Sequence, residues 1–172
     1  MFICAGEKET FDFAKPMGIG MVDMSINLTK LCLDKKPPFI FFVGTAGSYG
    51  EKKLFDIIES KTATNIENSF FNANAYTPID NMVSSAEDIS KEVIINSSNY
   101  ITTDSSLSKQ YLSKNIQIEN MEFYAVIKVA QSLNIPVAGA FIVTNYCNAN
   151  AHRDFISNHT EAMLRLSAFI MK

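Results

Sequence analysis

Two short runs, Phe39 to Val43 and Val137 to Val143, carry no charge and no alternation of apolar with polar side chains. A half-exposed strand alternates; a uniformly apolar run of this length fits a strand covered on both faces. Each run follows a break that stops a helical pattern, Lys35-Lys36-Pro37-Pro38 and Asn134-Ile135-Pro136. The prolines push the chain into extended backbone. Before the first break, Gly18-Ile19-Gly20 opens a pattern in which Met21, Met24, Leu28, Leu31 and Cys32 recur three and four apart. That spacing predicts a helix to about Leu33. Before the second, Tyr124, Ala125, Ile127, Val129 and Ala130 predict a helix from Met121 to near Leu133. The tail from His152 to Ile170 is amphipathic, with Phe155, Ile156, His159, Met163, Leu166 and Ile170 on one side. Buried strands alternating with helices predict a layered α/β sheet.

The remaining segments are read more coarsely. Met1 to Ala5, Leu54 to Glu59, Val93 to Ile95 and Asn99 to Thr102 are predicted strands. Ser105-Ser106 is the expected cap of a helix through Lys114. Residues 61–90, rich in Asn, Ser and Thr, read as a long excursion with a short helix near Ser84 to Ser90. A length of 172 residues, without repeat or linker, suits one domain over residues 1–172.

Composition narrows the partners. With 47% apolar residues and a net charge of -3, the chain is neither disordered nor a phosphate-neutralising surface for a nucleic-acid polymer. No apolar run reaches membrane-spanning length, and the start lacks the basic and apolar regions of a signal peptide. Cys4, Cys32 and Cys147 lie far apart, and with two histidines they give no metal-ligand spacing. The expectation is a cytoplasmic protein with buried reduced thiols, no metal, no membrane contact and a small metabolite as partner.

In such sheets ligands bind beyond the carboxyl ends of the strands. Gly6 to Thr10, Gly44 to Gly50 and Thr144 to Asn148 fall at such ends. Gly44-Thr45-Ala46-Gly47 fits either a tight turn or a place where a ligand meets backbone N–H groups. Met121-Glu122 at a helix start fits capping, or a carboxylate that accepts hydrogen bonds from a sugar diol beside a soft apolar floor. Asn145 fits a turn, or an amide facing the mixed edge of a purine. Glu7 and Glu9 fit a solvated loop, or a general base. His159 falls on the apolar side of the tail helix, the usual setting of a satisfied structural histidine, and His152 lies in a loop.

In this order, the segments resemble the nucleoside phosphorylase and nucleosidase superfamily. Gly18-Ile19-Gly20-Met21-Val22 looks like its Gly-Ile-Gly segment, and Phe39 to Gly47 its strand leading into Gly-Thr/Ser-Ala-Gly. Tyr100 to Asp104 looks like its strand ending in Gly-Asp. Ile118 to Glu122 looks like its Val-Glu-Met-Glu ribose motif, with Asn120 where a carboxylate is usual. Phe141 to Asn145 looks like its strand ending in Ile-Ser-Asp.

The resemblance implies a three-layer α/β/α sandwich around a mixed, mostly parallel sheet. It implies cleavage of the N-glycosidic bond of a purine nucleoside in a homo-oligomer (dimer, trimer or hexamer). It calls for no cofactor, with inorganic phosphate as a candidate co-substrate. Glu122 would hold the ribose hydroxyls and Met121 would pack on the sugar. Gly20 and Thr45 would line the phosphate or water side, Asn145 would face the purine N7, and Glu9 would activate water. Two departures stand out. Asn145 replaces the aspartic acid of most bacterial relatives, and an amide can hydrogen-bond to N7 but cannot protonate it. The only arginines are Arg153 and Arg165, and Phe42 stands where hexameric phosphorylases place one. Both leave room for an inactive, nucleoside-binding relative, and the second favours water over phosphate. Ser106 lies near the place of a base-stacking Phe, for which Phe70, Phe71 or Tyr76 would substitute.

Overall fold

The computed structural model describes residues 1–172. In chain order the elements are β1 (Phe2–Cys4), β2 (Lys15–Pro16), α1 (Gly20–Lys35), β3 (Ile40–Ser48), β4 (Ile57–Ser60), β5 (Thr62–Thr64), α2 (Asn68–Phe71) and β6 (Met82–Ser84). After a single 3-10 turn at Ile89–Lys91 come β7 (Ile94–Ser97), α3 (Ser105–Ser113), β8 (Ile116–Asn120), α4 (Phe123–Ser132), β9 (Val137–Tyr146) and α5 (Ala151–Ile170).

β3 and β9 form the parallel spine of one mixed, mostly parallel sheet. β1 pairs parallel with the first half of β3, while β8 pairs antiparallel with its end, at Gly47 and Ser48. From β8 the sheet continues through β7 and β5 to β6, and β4 closes the far edge on β9. The uniform apolar runs are explained by the two cores. Phe42, Phe141 and Val143 enter a cluster with Met24 and Leu28 of α1 and Phe123 and Ile127 of α4. Their neighbours Val43, Ala140 and Ile142 enter a second cluster with Ala162 and Leu166 of α5. Successive side chains thus point to opposite faces, and both faces are covered. This is the expected sandwich of helices about a sheet. No helix is long and apolar enough to cross a membrane.

Several sequence expectations need correction. Gly44 to Ser48 is strand rather than turn, because its small residues keep pairing with β9. β9 likewise runs on through Asn145. The strand predicted at Leu54 to Glu59 is the shorter, later β4. Asn99 to Thr102 is an irregular loop, with Tyr100 and Ile101 exposed. The excursion over residues 61–90 contains β5 and β6, and its expected helix is only the 3-10 turn. Asp104, rather than Ser105 or Ser106, caps α3 by accepting from the Ser106 N–H at 2.7 Å. β8 was not expected at all. On α5, Ile156 is exposed, and the buried Nε2 of His159 has no hydrogen-bond partner, so this histidine is not satisfied. His152 lies in the first turn of α5 rather than in a loop.

Candidate active site

A cavity of about 280 Å³ opens where β1, β3, β8 and β9 end. Glu9, Thr45, Met121, Glu122 and Asn145 all line it, from four separate stretches of chain. Gly20 does not line it but supports it from behind.

Glu9 arrives on a tight loop. Gly6 and Glu9 exchange backbone hydrogen bonds of 3.2 and 2.9 Å, with Gly6 and Glu7 at positive φ. The carboxyl then turns inward onto Thr45. Oε2 accepts the Thr45 N–H at 3.2 Å, and Oε1 accepts its hydroxyl. Gly44 permits this approach, since a Cβ there would lie 2.9 Å from Glu9 Oε2. The residue is half-buried, yet its carboxyl is enclosed. Burial pushes its pKa up, opposed by the two Thr45 donors.

Glu122 is the N-cap residue of α4 by position, but its carboxyl does not cap that helix. Oε1 accepts the Gly20 N–H at 2.8 Å, the first N–H of α1. Oε2 accepts the Met121 N–H at 3.2 Å and the Asn120 amide at 3.1 Å. Together with Asn99 Oδ1, which accepts the Met21 N–H at 3.1 Å, it satisfies donors that Ile19 leaves without a side-chain cap. A carboxylate also suits the positive end of the helix dipole. Asn120 is fixed in turn, its Oδ1 accepting from the Ser97 hydroxyl at 2.9 Å and the Phe123 N–H at 3.2 Å. Burial first, and then the charge of Glu9, push the Glu122 pKa up to about 8. The two carboxyls therefore sense one another across the cavity.

Asn145 owes its place to an irregularity. Ala46 pairs with Val143, but Gly47 pairs with Asn145, so Thr144 is an extra residue in β9. Such bulges bend a strand and re-aim side chains. Asn145 Oδ1 accepts the Thr144 hydroxyl at 2.9 Å, and its amide nitrogen donates to Tyr146 O at 3.3 Å.

The aromatic residues of the cavity are Tyr100 and Phe155, neither of which sequence reasoning placed there. Phe70, Phe71, Tyr76 and Ser106 do not line it; Phe71 instead packs on Tyr111 at 4.8 Å. Lys8 and Glu119 were missed as well, and His152, which the sequence left open, also lines it. A signal for Glu119 existed, because Ile116-Gln117-Ile118-Glu119 alternates with the period of a strand. Neither arginine lines the cavity. Arg153 pairs with Asp154 at 3.2 Å, and Arg165 pairs with Glu161 at 2.7 Å and lies over Phe55.

The family model described as the phosphorylase superfamily matches residues 13–172. The chain belongs to the phosphorylase superfamily. No curated protein matches this superfamily member in sequence. Among solved structures, a mutant Helicobacter pylori 5′-methylthioadenosine/S-adenosylhomocysteine nucleosidase with 5′-methylthioadenosine in its active site has a TM-score of 0.79 at 16% identity. The match covers 92% of this chain and 77% of that one. A mutant futalosine hydrolase from Helicobacter pylori strain 26695 gives 0.78 at 17%, over the same shares. The Streptococcus pneumoniae 5′-methylthioadenosine/S-adenosylhomocysteine nucleosidase with a transition-state inhibitor gives 0.79 at 14%, over 98% and 95%. At these identities the likeness is one of fold.

Proposed function

We propose that this superfamily member cleaves the N-glycosidic bond of a purine nucleoside, with water as the acceptor. The observation that carries the reading is the facing pair of enclosed carboxyls, Glu9 on Thr45 and Glu122 on Gly20, in one cavity. Glu122 keeps lone pairs for the ribose hydroxyls, and Met121 lies against the sugar. Glu9, made more basic by burial, takes a proton from water. The water oxygen bonds to C1′ as the bond from C1′ to the purine nitrogen breaks. The bonding pair leaves with the base, which takes up a proton from solvent, giving free ribose and free purine. Asn145 hydrogen-bonds the departing base without protonating it. Solved structures of the same fold include nucleosidases and a futalosine hydrolase. The absence of both arginines from the cavity lining favours water over phosphate, because arginine is the usual bidentate holder of that anion.

The test is release of free base from inosine, guanosine, adenosine and methylthioadenosine, with and without phosphate. Base release without phosphate is expected; release only with phosphate would reassign the acceptor. A second reading, a nucleoside-binding protein without turnover, draws on Asn145 as an amide at the base end. Nucleoside binding in calorimetry with no base released would favour it.

A further inference from the structure

Asn120 is the last residue of β8, opposite Ser97 of β7, and its side chain is buried at the edge of the cavity. Its surroundings decide which way the amide faces. Oδ1 accepts the Ser97 hydroxyl at 2.9 Å and the Phe123 N–H at 3.2 Å. A backbone N–H can only donate, so the oxygen belongs on that side and the nitrogen on the other. There Nδ2 donates to Glu122 Oε2 at 3.1 Å. Ser97 is committed in turn, because its oxygen accepts the Tyr124 N–H at 2.9 Å and leaves its one hydrogen for Asn120. Donation therefore runs one way, from Tyr124 to Ser97, to Asn120, and to the Glu122 carboxyl.

That carboxyl has only neutral donors around it. Gly20 N–H, Met121 N–H and the Asn120 amide reach it, and no lysine or arginine pairs with it. Asn120 is the single side chain among the three, and it is a departure from the ribose motif read in the sequence. An aspartate in its place would keep one oxygen on Ser97 and Phe123. Its other oxygen would stand where Nδ2 now lies, 3.1 Å from Oε2. Two carboxyls this close resist joint ionisation and share a proton.

We propose that Asn120 is a positioning residue, whose amide donor keeps Glu122 turned to the cavity as a charged acceptor for the ribose hydroxyls, a task that a carboxylate at the same place performs only with a shared proton. This deepens, and rests on, the nucleoside reading above. The amide hydrogen does not titrate, so the unaltered chain holds Glu122 at every pH at which it is folded.

Asn120→Asp tests this, with kcat/KM for base release from inosine and adenosine, or calorimetric affinity if neither is turned over. The reading is the ratio of variant to unaltered chain from about pH 5 to about pH 10. The ratio cancels the titration of the nucleoside and of the groups common to both proteins. These are Glu7, Lys8, Glu9, Glu119 and His152 in the cavity lining, and Asp23 in the first turn of α1. At the acid end a shared proton stands in for the amide hydrogen, and the variant is expected within a few-fold of the unaltered chain. At the alkaline end that proton is lost, and the ratio is expected to fall by about 10–10²-fold. A role confined to packing on Ser97 and Phe123, contacts the aspartate retains, gives a ratio that does not change with pH and overturns the proposal. If Asn120→Asp does not fold, Ser97→Ala carries the test by removing one of the two anchors of the amide. It is expected to lower kcat/KM about tenfold with native circular dichroism, and unchanged kinetics there overturn the proposal. If the unaltered chain neither binds nor cleaves either nucleoside, the nucleoside reading falls and this one with it.

Discussion

Glu122 accepts the backbone N–H of Gly20 at 2.8 Å across 102 positions of sequence. One carboxyl thereby closes the first turn of α1 and faces the cavity. Glu122→Gln keeps a side-chain oxygen for Gly20 but puts an NH2 in place of the Oε2 that Met121, Asn120 and a sugar diol would meet. A buried polar group left without its partner costs about 1–3 kcal/mol. We expect at least about a 10²-fold loss of kcat/KM with near-native circular dichroism. Turnover close to that of the unaltered chain would remove Glu122 from the ribose site.

Glu9→Gln separates chemistry from binding. The amide fits beside Thr45 but cannot take a proton from water. Loss of a positioned general base costs roughly 10²–10⁴ in kcat. Nucleoside affinity, measured by calorimetry, should change little. An equal loss in affinity would make Glu9 a binding group instead.

Gly44→Ala places a methyl 2.9 Å from Glu9 Oε2 and from the Phe42 ring. Overpacking of this kind costs about 1–3 kcal/mol. We therefore expect a lower Tm together with a fall in kcat, because the carboxyl must leave Thr45. Gly44→Ala with full activity would show that the contact with Thr45 is dispensable.

The raised pKa of Glu122 gives stability a pH slope of definite sign. Its ordinary value is 4.5 and its folded value about 8, so between these the folded chain binds more protons than the unfolded one. The contribution is complete below the ordinary value and is lost as pH rises through the folded value. Glu9 shifts in the same direction. Tm should fall from about pH 5 to about pH 9, and Glu122→Gln should flatten the slope. A slope unchanged in that variant would assign it to other groups.

Arg153 offers a control on the acceptor. It is paired with Asp154 outside the cavity lining. Arg153→Ala should leave base release unchanged with and without phosphate. A drop confined to the phosphate-containing assay would bring that side chain into the site.

The parts legible in the sequence are those where burial is apolar on both sides. Phe39 to Val43 and Val137 to Val143 were readable because covered strands need no polar face. α1 and α5 were readable from their period. β8 escaped because Gln117, Glu119 and Asn120 are buried polar residues satisfied by partners distant in sequence, such as Ile94 and Thr102. Their polarity resembles that of a loop until the partners are known. Tyr100 and Ile101 misled in the opposite direction, as strand-like residues in an exposed loop beside the cavity. Glu9, Met121, Glu122 and Asn145 could be nominated from position, but their mutual placement depends on pairings the linear sequence does not display.

The extra residue at Thr144 makes the base end of the cavity a matter of counting. Its displaced carbonyl is held by the Asn158 amide of α5 at 2.8 Å. Delete that one residue and Asn145 would still stand opposite Gly47, but the ladder would close without its bend, and Asn145 Oδ1 would lose the Thr144 hydroxyl. Chain length at this single point, as much as residue identity, sets how the amide is aimed.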